Sequence, residues 1–353
     1  MRKKRILVAA LNWGLGHAAR CIPIIKGLQL NEYEPIIASD GNALELLKKE
    51  FPKLIYIELP SYEIQYPENG FFLKWKMIID SPKIIKTIKL EKKFTSELVE
   101  NYDIQGIISD NRFGVRSEKL KKNVFITHQL NVLSGKTSFL SSYIHQQYIA
   151  KFDQCWVPDV STEINLSGVL GHPKMKPENV KYIGILSRLE KRVTSEIYDF
   201  LILLSGPEPQ RSILESILLR EFSQSKARVL FVRGVISEEK LNYSNPNLNI
   251  KNYLFGGDLE EAINSSKYIV ARSGYTTLMD LSRLEKKAFF IPTPGQYEQQ
   301  YLAKRLEKLQ IAPFCKQNEF SLNQLNRIQE YKGLRNFGDH IVFRDLFSFF
   351  ERE

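Results

Sequence analysis

Residues 6–23 read ILVAALNWGLGHAARCIP, and this stretch decides the fold class. The apolar run Ile6–Leu11 suits one strand buried on both faces and is far too short to span a membrane. A glycine turn, Gly14-Leu15-Gly16-His17, follows at once, and apolar residues at helical spacing follow the turn. Strand, glycine turn and helix in that order open a βαβ unit. Proline suits the first helical position, so Pro23 predicts a helix beginning near Ile22 and leaves His17 in the loop. Outward from here, Pro35–Ser39, Leu54–Leu59, Gly106–Ser109 and Val124–Thr127 read as further buried strands. Ala43–Glu50 and Val115–Leu120 carry helical patterns between them. A second series starts at Asp199–Leu204 and continues through Arg228–Val232, Tyr268–Ala271 and Ala288–Ile291. The chain is therefore expected to be α/β, with two doubly wound domains over 1–185 and 186–353, joined near Ile183–Thr194. The amphipathic end, 340–350, packs either on its own domain or back on the first; pattern alone does not choose.

Composition agrees with a globular chain. The 353 residues are 43% hydrophobic and 25% charged, enough for two domains with cores that need no staple. Three cysteines, Cys21, Cys155 and Cys315, lie far apart with no C-x-x-C pair, so neither a disulfide framework nor a zinc site is expected. A reducing cytoplasm fits. The charged start Met1–Arg5 leads into too short an apolar run for a signal peptide, and no spanning helix is expected. The net charge of +10 suits an anionic partner or, equally, a lysine-rich solvated surface.

Six polar segments follow strand ends, where open α/β sheets bind ligands. Gly14, Gly16 and His17 form the first, reading G-x-G-x-x-R because Arg20 replaces the third glycine of a dinucleotide fingerprint. Ser205, Gly206 and Arg211 form the second, a small-residue loop with one added charge, suited to a diphosphate. Arg272, Ser273, Gly274 and Thr277 form the third, at a predicted helix N-terminus, with Asp280 placed to accept from ribose hydroxyls. Gln296, Gln299 and Gln300 form the fourth, after Pro294-Gly295, with neutral groups suited to sugar hydroxyls. His128 with Asn131, and Asp110 with its neighbours, form the last two. Each alone also reads as an ordinary polar loop.

Taken together, these segments resemble the family 28 glycosyltransferases of the GT-B fold, a group that includes the peptidoglycan-precursor N-acetylglucosaminyltransferases. The segments ARSGYTTLMDL and FFIPTPGQYEQQYLA carry the resemblance most specifically, in order and over about fifty residues. The resemblance implies two Rossmann-like domains facing a cleft, and a donor site in the second. Ser205, Gly206, Ser273, Gly274 and Thr277 would meet the donor diphosphate and sugar, Asp280 the ribose, Gln299 and Gln300 the sugar, and Phe255 and Gly256 the base. His17 would lie at the reaction centre, and His128 and Asn131 on the acceptor side. Two departures stand out: Asp280 where the family usually has Glu, and Trp13 and Leu15 in a first loop that is glycine-richer in the peptidoglycan enzyme.

The implied reaction is inverting transfer of a hexose or N-acetylhexosamine from a UDP-sugar to a hydroxyl acceptor, lipid-linked or in a cell-envelope glycan. His17 is the first choice as base and Asp110 the second, since imidazole titrates near working pH. No metal or other cofactor is expected, because helix N-termini can take the charge of the leaving diphosphate. The alternatives of the same fold are a non-hydrolysing UDP-sugar epimerase and a non-catalytic nucleotide-sugar-binding protein. The missing third glycine counts against a nicotinamide enzyme, and nucleic acid is not expected, for want of a recognition motif. Between Phe71 and Phe94, seven lysines against two acids, with interleaved aromatics, suit the anionic inner face of a membrane or, equally, a helical hairpin divided at Pro82 and packed on the first sheet with its lysines on the wet face.

Overall fold

The computed structural model describes residues 3–62, 73–235, 237, 241, 243–335, 337–338 and 341–351. They form two compact units, divided between Arg188 and Leu189, and the last segment, from Phe337, belongs with the first unit.

The first unit holds a seven-stranded sheet in the order β3-β2-β1-β4-β5-β6-β7. The strands are β1 (Arg5–Ala10), β2 (Glu34–Ser39), β3 (Tyr56–Glu58), β4 (Ile104–Asp110), β5 (Asn123–Ile126), β6 (Gln154–Val157) and β7 (Val180–Tyr182). All neighbours pair in parallel. β1 is central: Leu7 pairs with Ile36 on one side and Ile107 on the other, and Ile6 to Ala10 are wholly buried. Ile6, Leu7 and Val8 each contribute about 1.5–3 kcal/mol, so this run anchors the sheet. β6 and β7 are short and carry polar residues, and their pattern was not legible as strand.

Two helical expectations are corrected. Helix α1 spans Leu15–Leu30, with Pro23 inside it, so His17 lies in its first turn and not in a loop. Pro23 lacks one helical hydrogen bond. Burial of Ala18, Ala19, Cys21, Ile22, Ile24 and Ile25, together with side-chain bonds from His17 and Arg20, outweighs that loss. Val115–Leu120 forms turns, not a helix. There the Asn123 side chain accepts from the Ser117 amide and donates to the carbonyls of Ser117 and Leu120, satisfying groups a helix would have paired. Helix α2 (Gly41–Glu50) follows β2, α3 runs unbroken over Leu73–Asn101, through Pro82, so the hairpin reading is also corrected, and α4 (Ser138–Ile149) follows β5. Phe71 and Phe72 lie outside the described residues.

The last segment closes the first unit. Its short helix, Phe343–Phe347, and the turn to Phe350 place aromatic rings on α1 and the sheet. A Cβ on Gly27 would lie 2.7 Å from the Phe343 ring, and one on Gly106 would lie 2.5 Å from Phe350. Both positions need glycine for that close approach.

The second unit holds a five-stranded parallel sheet ordered β10-β9-β8-β11-β12. These are β8 (Tyr198–Leu203), β9 (Val229–Val232), β10 (Leu248–Lys251), β11 (Ser266–Ala271) and β12 (Lys287–Phe290). Its core joins Ile202, Leu214, Leu218, Phe222, Phe231, Val270 and Phe289.

Candidate functional site

In both sheets the strand order reverses beside the first strand, between β1 and β4 and between β8 and β11. Such switch points leave a crevice at the carboxyl ends of the strands. Four of the six polar segments fall on these two pairs of strand ends.

At the first switch point, His17 and Asp110 meet. His17 Nδ1 lies 2.7 Å from Asp110 Oδ1, and Asn111 Nδ2 is 3.5 Å from the same nitrogen. The Arg20 guanidinium donates to both Asp110 oxygens. Its Nη1 lies 3.0 Å from His128 Nδ1 and its Nη2 2.9 Å from His17 Nδ1. Arg20 and Asp110 are buried, and the His17 side chain is 17% exposed. Burial works against the Asp110 carboxylate, but the charge of Arg20 and the hydrogen bonds with Arg20 and His17 overcome it and hold the pKa down to about 2. Asp110 is therefore ionised and acceptor-only at neutral pH. Of the two close neighbours of His17 Nδ1, this carboxylate is nearer than Arg20 Nη2, and a proton on Nδ1 donated to it would leave the imidazole lone pair on Nε2. Burial, and then the Arg20 charge, lower the His17 pKa below its ordinary value, keeping the ring neutral. Both Asp110 oxygens are committed to Arg20 and His17, which leaves neither free to take a proton from elsewhere.

His128 joins this cluster through Arg20, and Asn131 does not. The Asn131 amide donates to the Val169 carbonyl at 2.6 Å and holds the loop after β5. Gly14 is the N-cap of α1 and Gly16 lies in its first turn, so backbone N–H groups of that turn accompany His17. Arg20 itself was not anticipated as a site residue. The signal was present: three residues after His17 on a helix puts both on one face, and the expected later start of α1 concealed it.

At the second switch point, Ser205 and Gly206 follow β8 and are exposed, and Ser273 and Gly274 follow β11. Gly206 has φ 109, a conformation that favours glycine. Gly274 is the N-cap of α7 (Tyr275–Arg283), which also carries Thr277 and Asp280. The nearest atom to a Cβ built on Gly206 is Thr293 Oγ1 at 3.9 Å, and on Gly274 Thr277 Oγ1 at 4.0 Å, so both backbones border open space. Ser273 Oγ donates to the Gln299 carbonyl at 2.8 Å. The Gln299 side chain accepts from the Thr293 amide at 2.8 Å and donates to Gln296. Gln300 lies beside them in α8 (Tyr297–Lys308), half-buried. Phe255 and Gly256 stand apart, at the start of α6 (Gly256–Asn264) after the edge strand β10.

Two donor-site expectations are corrected. Arg272 is buried beneath the loops: it donates to the carbonyls of Ile291, Pro292 and Gln210 and to Gln317 Oε1, and burial lowers its pKa to about 9. It ties strand ends together, and both its Nη nitrogens are spent on those partners. Arg211 is spent on carboxylates, bonding Glu208 at 2.5 Å and Glu215, which also pairs with Arg233 at 2.6 Å. Its charge is balanced within α5 (Gln210–Phe222) and the strand ends beside it. Among the described residues, no group of three or more His, Cys, Asp or Glu is placed to hold a metal ion, and no helix is long and apolar enough to cross a membrane.

Residues 202–330 match the glycosyltransferase family 28 C-terminal domain. The chain is similar to the UDP-N-acetylglucosamine--N-acetylmuramyl-(pentapeptide) pyrophosphoryl-undecaprenol N-acetylglucosamine transferase of Listeria monocytogenes serotype 4b (strain CLIP80459), at 27% identity over 201 residues. That match covers 54% of this chain and 53% of the relative, so the chain spans about half the length of that relative. Among solved structures it is similar to the glycosyltransferase SnogD from Streptomyces nogalater, with TM-score 0.64 and 12% identity over 99% of this chain and 96% of that one. It is also similar to MurG from Acinetobacter baumannii, with TM-score 0.55 and 15% identity over 94% and 92%. These likenesses show the fold.

Proposed function

We propose that this chain, whose second unit is a glycosyltransferase family 28 C-terminal domain, transfers a sugar from a UDP-sugar to the hydroxyl of a lipid-linked or cell-envelope acceptor. One observation carries the reading: a neutral imidazole, His17, held through Nδ1 by a buried, ionised Asp110 at a sheet switch point. That arrangement is a base with its lone pair directed away from its support, as acyl-transfer triads also use. The acceptor O–H proton passes to His17 Nε2 as the oxygen attacks the anomeric carbon. The bond from that carbon to the diphosphate oxygen breaks, and its electron pair leaves on UDP. Attack opposite the leaving group inverts the centre.

The donor reading falls on Ser205, Gly206, Ser273, Gly274 and Thr277 for the diphosphate, Asp280 for the ribose, and Gln296, Gln299 and Gln300 for the sugar. Phe255 and Gly256 are assigned to the base. The named relative uses UDP-N-acetylglucosamine, which makes it the first donor to try. Backbone N–H groups and the half-buried Thr277 hydroxyl at the start of α7 would supply charge stabilisation without a metal. The acceptor's membrane is assigned to the outer face of α3, where Lys83, Lys86, Lys89 and Lys93 are exposed with Ile85 and Leu90.

Thermal shifts with UDP, GDP, dTDP and CMP test the donor reading. UDP at 100 times its Kd should add about 2.7 kcal/mol, a rise of about 2–4 °C. Asp280→Ala should weaken that shift. A folded protein that no nucleotide stabilises would overturn the reading, and epimer formed from donor alone would redirect it.

A further inference from the structure

Arg20 is the hub of the first switch point. It is 2% exposed and touches three titratable groups: both oxygens of Asp110, Nδ1 of His17 and Nδ1 of His128. The two imidazoles meet different demands. His17 Nδ1 lies between the acceptor-only Asp110 carboxylate at 2.7 Å and the donor Arg20 Nη2 at 2.9 Å, and the nearer carboxylate favours a proton on Nδ1. His128 Nδ1 faces a guanidinium that can only donate, so it must carry a lone pair.

We infer that Arg20 is a positioning residue that fixes the two histidines in opposite tautomers, His17 as Nδ1–H and His128 as Nε2–H. The inference rests on the reading of His17 as the base. One imidazole then accepts at Nε2 and the other donates at Nε2. A single guanidinium sets that polarity, because its planar fork binds the carboxylate with two nitrogens and still offers Nη1 to His128. Lysine cannot do this: it has the charge and not the fork. The groups facing His17 are Asp110, Arg20, Asn111 and, through charge, His128, and Cys21 Sγ lies 3.8 Å from Asp110 Oδ2. Of these, only Arg20 is positive at every working pH, so it opposes protonation of His17.

Imidazole proton–nitrogen correlation spectra of the full chain separate the two tautomers and need no substrate. His17→Gln and His128→Gln assign the signals by their loss. The expected spectrum shows His17 as Nδ1–H and His128 as Nε2–H at neutral pH. Arg20→Lys should let His128 average between tautomers and lower kcat about 10²-fold, with KM changed far less. Arg20→Met removes the opposing charge and should move the acidic limb of kcat/KM to higher pH. A structural role alone would lower stability and leave that limb in place. Should Arg20→Met fail to fold, because Asp110 is left unpaired, the Arg20→Lys spectrum decides. His128 found as Nδ1–H, or both tautomers unchanged in Arg20→Lys, would overturn the inference. The expected tautomers in a protein without transferase activity would keep the role of Arg20 and remove the transferase reading. Transfer with reversed tautomers would do the opposite.

Discussion

The two switch points share a topology and differ in what fills them. Beside β1 the crevice floor is charged, buried and internally satisfied: Arg20, Asp110, His17 and His128 bond one another. Beside β8 the charges are turned away, with Arg211 held by Glu208 and Glu215 and Arg272 buried under carbonyls. What remains at that surface is Ser205, Gly206, Gly274 and open space. A site that must aim one proton acceptor needs its support built in advance. A site that must receive an anion needs bare N–H groups and room for close approach. Under the proposed function, the same fold position would hold machinery in one unit and a seat in the other.

The largest effect is expected where that machinery is most buried. Asp110→Ala leaves Arg20 buried without its partner, which costs about 3–5 kcal/mol. It also frees the His17 tautomer, so kcat should fall by about 10³–10⁴-fold. Denaturant unfolding and steady-state kinetics measure the two losses separately. An active Asp110→Ala would erase the distinction between the switch points.

A smaller effect is read from pH. The folded Asp110 pKa of about 2 lies below its ordinary value of 3.8. The stabilisation is present above about pH 4 and is lost as pH falls toward 2, and it amounts to about 2 kcal/mol. Glu91, whose pKa burial raises, contributes with the opposite sign. The difference between wild type and Asp110→Asn isolates the Asp110 share, and a difference that does not change between pH 5 and 2 would contradict it. At the seat, Gly206→Ala should cost about 1–2 kcal/mol through its φ of 109 and not through crowding, since only Thr293 Oγ1 at 3.9 Å faces the new methyl. UDP stabilisation should weaken with it, while the His17 tautomer stays.

The two switch points were not equally legible in the sequence. Apolar runs such as Ile6–Leu11 reveal buried parallel strands because both faces are covered, and glycine loops after them mark strand ends. The residues of the seat stand in one short stretch each, as in Ser273-Gly274, so local reading finds them. The machinery is non-local. Arg20 and Asp110 are 90 residues apart, and Arg20 and His128 are 108 apart, and only the sheet order brings them together. Local reading also misjudged Pro23, because the energy that carries α1 through it is tertiary. It misassigned Arg272 and Arg211 for a related reason. An arginine beside a small-residue loop looks like an anion ligand until its carbonyl and carboxylate partners are seen.

The smallest effect on stability is expected on the exposed face of α3, in the first unit. Its inner face carries Glu91, buried and bonded by Tyr62 and Arg112, and its outer face carries Lys83, Lys86, Lys89 and Lys93. Exposed single charges change stability by about 0.5 kcal/mol or less. Replacing these four lysines by glutamate should therefore leave folding, UDP stabilisation and turnover of a water-soluble acceptor nearly unchanged. Co-sedimentation with anionic vesicles at low salt should fall, because each lysine near such a surface is worth about 1 kcal/mol. The attraction should also fade in the wild type as salt rises, since the screening length shrinks from about 30 Å at 0.01 M to about 8 Å at 0.15 M. Binding that survives both the substitutions and the salt would assign membrane contact to apolar residues instead. Binding absent from the wild type would leave the lysine face as a solvated surface, and the acceptor would then have to come to the enzyme without help from α3.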